Sequence, residues 1–134
     1  MAGAVCQNAV AVTLPGQGSV TEQEGAVDQV LAFYRAGKTQ RVIGELESCY
    51  LKPPNGDNDI CVFQDIAARY IETKAAELSG DQLPAYFSDL PFNLRLSKAL
   101  IQEKKLSEQA AGELVKASSS AIVETINRRL TGKQ

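Results

Sequence analysis

The side chains able to do chemistry are few and scattered. The 134 residues include neither histidine nor tryptophan, so imidazole acid–base catalysis and histidine metal ligation are excluded. The three cysteines stand at 6, 49 and 61, which is no spacing for a zinc site. A cysteine nucleophile would also lack its usual imidazole base. Gly16-Gln17-Gly18 lacks the Lys-Ser/Thr of a phosphate loop and the third glycine of a dinucleotide fingerprint, and so reads as a turn. Asn55, Asp57 and Asp59 alternate like early calcium ligands. Gly56 is misplaced for such a loop, however, and the closing glutamate is missing, so the segment reads as solvated. The sequence implies no metal and no cofactor.

Carboxylates remain. Glu45 and Glu47 project from different sides of a helix, and Asp65, Arg69 and Glu72 read as its successor's solvated outer face, with Asp65–Arg69 an i,i+4 pair. A glycosidase-type pair would have to be assembled across helices. With few groups titrating near neutrality, the chain reads as a non-enzyme. Lys74 falls inside an apolar stripe, where its stem is expected to lie along the surface and its head to reach water.

Cys49 and Cys61 bracket a loop dense in turn residues, Leu51 to Ile60. Helices on either side would put one cysteine in a last turn and the other in a first turn, within the separation that a disulfide needs. Closing a loop of this length stabilises by roughly 3 kcal/mol in the chain-entropy picture. Cys6 is then left over. A bridge implies an oxidising compartment, whereas three reduced thiols would suit the cytoplasm.

Residues 1–21 carry no charge and do not form a secretory signal, so the segment reads as the start of a mature protein whose signal has been removed. Hydrophobic types make up 44%, charged types 22%, and 14 basic against 16 acidic residues leave a net charge of −2. That is a soluble globular composition with no basic stripe for nucleic acid and no segment for membrane insertion.

Periodicity predicts an all-α fold: a bundle of about five helices over residues 21–134, preceded by an irregular or short-strand arm over 1–20. Thr21 and Glu24 form a capping box for the first helix, which ends at Gly37. The second runs from about Thr39 to Tyr50. Asp59 caps a third, stopped by Gly80, and Ser88 or Asp89 caps a fourth that reaches about Glu103. The fourth carries two apolar seams, with Leu90, Leu94 and Ile101 on one of them, and is expected at the centre. Ser107 starts the last helix, which ends near Leu130.

The functional expectation is protein binding in the bacterial periplasm or another exported setting. Two surfaces are candidates: the apolar connection Leu83, Tyr86, Phe87, and the rigid polar loop Asn55, Asp57, Asp59. In size, helical content and bridged hairpin the chain is similar to small periplasmic immunity proteins that block a cell-wall hydrolase; no motif carries that similarity. The competing readings are an acidic cytosolic chaperone or adaptor, and a small carrier of apolar ligands with a cavity beside the fourth helix.

Overall fold

The computed structural model describes residues 20–132. Residues 1–19 of the expected N-terminal arm, with Cys6 and the Gly16-Gln17-Gly18 turn, lie outside the described residues. Within them are four α-helices and no strand: α1 (Val20–Leu51), α2 (Asn58–Ser79), α3 (Asp89–Ser97) and α4 (Glu108–Thr131). A π-helical turn, Lys98–Glu103, extends α3, and short 3-10 turns sit at Pro54–Gly56 and Ala85–Phe87. The all-α expectation holds; the helix count is one lower, because the expected first and second helices are limbs of α1.

The limbs meet at a break. Gly37 is extended and Lys38 has φ 61°, ψ −154°, a backbone region almost confined to glycine. The chain doubles back there. Gln29 and Tyr34 on the first limb bond to Gln64 and Glu72 of α2, while Thr39 returns to Glu72 and Tyr50 to Asp65. Both limbs therefore lie along α2, in opposite directions. Glu72 is buried and accepts from Tyr34 Oη at 2.5 Å and Thr39 Oγ1 at 2.7 Å, joining the two sides of the break.

Helix ends follow local chemistry with two corrections. α1 starts at Val20, so Thr21 lies inside the first turn. The cap of α2 is Asp57, whose side chain accepts from the Asp59 N–H at 2.9 Å; Asp59 itself is helical. Gly80 stops α2 in the left-handed conformation, and Ser107 caps α4 by accepting from the Ala110 N–H.

α2 is the central helix, a place expected for the helix that begins near Leu90. Every residue from Cys61 to Ala68 is buried, because the two limbs of α1, α4 and the π turn surround this stretch. Phe63, Phe87, Leu46, Leu100, Ile122 and Ile126 are the largest fully buried apolar side chains of that core. Each contributes about 2 kcal/mol by leaving water. On α3 only the seam of Phe92 and Leu96, continued by Ala99 and Leu100, is buried, while Leu90 and Leu94 face solvent. Arg128 and Arg129 of α4 reach Glu24 and Asp28, tying the last helix to the start of α1.

Candidate functional site

Cys49 and Cys61 are bonded, with Cα atoms 5.7 Å apart. They join the last turn of α1 to the first turn of α2, as the turn-rich loop between them implies. The bridge fixes the end of α1 beside the middle of the molecule, and Tyr50 follows immediately.

Tyr50 opens a buried polar network. Asp65 on α2 is fully buried and accepts three hydrogen bonds: from Tyr50 Oη at 2.7 Å, Arg95 Nε at 2.7 Å and Arg95 Nη2 at 2.9 Å. Arg95 also donates through Nη1 to the Tyr86 carbonyl at 2.8 Å, and its guanidinium lies 3.7 Å from the centre of the Tyr86 ring. A bidentate, hydrogen-bonded pair with an aromatic cover is the form in which a buried charge is tolerated. Burial alone would lower the Arg95 guanidinium, but the hydrogen bonds and charge of Asp65 hold it above its usual value. Burial, then the Asp65 charge, pushes the Tyr50 phenol well up; burial pushes Tyr86 to about 12, with Arg95 pulling the other way.

The network forms one wall of an open cleft of about 450 Å³. Glu47, Tyr50 and Leu51 line it from α1, Tyr86 from the 3-10 turn, and Arg95, Lys98, Ala99 and Glu103 from α3 and the π turn. The π geometry matters here. In an α-helix residues 98 and 103 would point about 140° apart. The wider turn, closed by the Lys104 N–H on the Ala99 carbonyl, brings both to the cleft. A second hollow of similar volume lies between α2, α3 and α4, lined by Ile66, Tyr70, Phe92 and Val115 among others. Its cation, Arg69, is occupied by Asp89, the Phe87 carbonyl and the Phe92 ring.

The expected docking residues separate. Tyr86 is half-buried at the cleft, and Leu83 is half-buried against the core. Phe87 is fully buried and stacks edge-on to Tyr86, so its ring is core rather than a partner anchor. Of the three expected polar-loop residues only Asn55 is exposed. Asp57 turns in to cap α2, and Asp59 is buried 2.7 Å from Lys104. Burial raises the Asp59 carboxyl while Lys104 offsets part of that effect. The loop is thus not the free acidic finger that its composition suggests.

The solvated-face reading of Asp65 and Glu72 is also overturned, since both are buried. Asp65 was discoverable: it is the one charged residue in the run from Ile60 to Ala68, and a helix apolar on nearly every side is a buried helix. Its need for Arg95 follows from that burial. Lys74 is exposed, near Glu77 and the Tyr70 ring, as a lysine with its stem along the surface should be. Among the described residues no group of three or more Cys, Asp or Glu is placed to hold a metal ion, and no helix is long and apolar enough to cross a membrane. No family profile, curated protein or solved structure matches this chain.

Proposed function

We propose that this chain is an exported, disulfide-bridged helical protein that acts by binding another protein. The observation that carries the reading is the exposed apolar edge beside a rigid Tyr–Arg wall. Leu90 and Leu94 stand one turn apart on α3 and face solvent, Lys98 continues their line to the cleft, and Leu51 is 87% exposed at the opposite lining. Single exposed leucines are ordinary, but two of them form an apolar patch next to a fixed tyrosine–arginine pair, the residue types enriched at interface cores. Asp65 and the disulfide hold that surface in shape before a partner arrives, which lowers the ordering cost of binding. Rigidity of this kind suits an inhibitor or immunity-type role toward an exported enzyme. The bridge itself supports an oxidising compartment such as the periplasm.

The test has two arms. Protein taken from its native host and denatured without reductant should titrate one thiol, that of Cys6; three thiols would overturn the exported reading. Leu90→Asp with Leu94→Asp should abolish cross-linking to the partner while leaving the unfolding midpoint within error, and Leu130→Asp, exposed at the end of α4, should leave cross-linking intact. Equal cross-linking by all variants would remove the docking surface. A carrier of small ligands is the second reading, favoured by the cleft beside α3.

A further inference from the structure

The geometry points to the cleft between the end of α1 and the π turn as a binding site for an apolar α-amino acid, free or as a dipeptide. This inference does not rest on the docking surface; it follows from the cleft's own charges. Arg95 and Asp65 cancel one another. That leaves one cation, Lys98, and two carboxylates, Glu47 and Glu103, beside an apolar lining of Leu51, Ala99 and the Tyr86 ring. Among the described residues Lys98 and Glu47 make no ion pair, and Glu103 accepts from the Asn58 amide.

Arg95 adds donors. Of its five N–H groups two serve Asp65 and one serves the Tyr86 carbonyl, so two remain for a ligand. A ligand carboxylate therefore has Lys98 and the spare Arg95 hydrogens; a ligand ammonium has Glu47 and Glu103. A purely anionic ligand would meet two carboxylates, and a purely apolar one would strip water from three charges without replacing it. A molecule with both charges and an apolar body pairs with every group of that lining. The volume, about 450 Å³, is near the small end of ligand clefts and suits one or two residues rather than a longer peptide. Glu47 already sets one carboxylate beside Lys98, and the π turn adds a second by bringing Glu103 to the cleft.

The experiment is a titration of isotope-labelled full chain, followed by amide chemical shifts, with four probes: L-phenylalanine, the dipeptide Phe-Leu, N-acetyl-phenylalanine and phenylalanine amide. Saturable shifts are expected at Leu51, Lys98 and Ala99 with the first two. Removing either charge, in the acetylated or amidated probe, should weaken binding about tenfold. Tighter binding of the free amino acid or of the dipeptide tells which source of this head group the cleft takes. Lys98→Gln and Glu103→Gln are exposed substitutions that leave the core untouched, and each should weaken phenylalanine binding by a similar factor. No saturable shift at millimolar probe, equal binding of the blocked probes, or unchanged binding by both variants would overturn the proposal.

Discussion

Removing the Asp65 carboxylate is the sharpest perturbation of this fold. Asp65→Ala withdraws an acceptor with no solvent exposure and three hydrogen bonds, all between 2.7 and 2.9 Å. The Arg95 side chain is only 16% exposed, so its charge would be left largely without water and without a counter-charge. Breaking a buried pair in this one-sided way costs about 3–5 kcal/mol, and the orphaned Tyr50 hydroxyl adds about 1 kcal/mol. Total stability for a chain of this size is about 5–15 kcal/mol, so the variant should be marginal at 25 °C. The companion variant, Asp65→Leu with Arg95→Met, removes both charges and should cost far less than the single change, because no ion is stranded. Urea unfolding followed by circular dichroism reads both. The reasoning fails if Asp65→Ala loses less than about 1 kcal/mol, or if the double replacement is as damaging as the single one. Should Asp65→Ala not fold, recovery by the double replacement still decides the matter.

Three further outcomes are expected. Lys38→Gly should raise the unfolding free energy by about 1 kcal/mol, since Lys38 occupies glycine-like backbone space, whereas Gly37→Ala should lower it because a Cβ there would come 2.7 Å from that of Arg41. Phe87→Ala should cost about 3–5 kcal/mol in the same assay as a core deletion; a near-neutral result would return its ring to the surface. Tyr34, Tyr50 and Tyr86 all ionise later in the folded protein than the usual phenol value of about 10, mainly through burial. A raised folded value means the native state holds protons that the unfolded chain releases, so stability present below about pH 10 should fall as pH rises past it. Denaturant midpoints measured against tyrosinate absorbance check this; a flat profile up to pH 12 would contradict it.

Much of the local structure was legible. Gly80 and Ser107 mark a stop and a start by chemistry confined to a few neighbouring residues, and the structure uses both. Cys49 and Cys61 pair because turn residues between two helical patterns leave their ends adjacent. Gly37 was legible as the end of a helical pattern, but not the reversal there, which needs Glu72 to receive Tyr34 and Thr39 from its two sides. The candidate site was harder. The sequence marks Tyr86 as an anchor but not Arg95, which needs the buried Asp65, nor Lys98 and Glu103, whose meeting depends on a π turn that side-chain periodicity does not announce.

By itself the amino-acid order determined that this protein is helical, where most of its helices begin and end, and that two thiols lie within bonding reach. These properties depend on backbone hydrogen bonding and contacts between near neighbours in the chain. Only the tertiary structure decided which helix is central, which carboxylates are buried and which leucines stay wet. An acidic residue three or four positions from a basic one looks the same on a solvated face as in an enclosed one. The difference lies in the number of helices that cover that face, and this is set by groups as distant as Asp65 and Arg95.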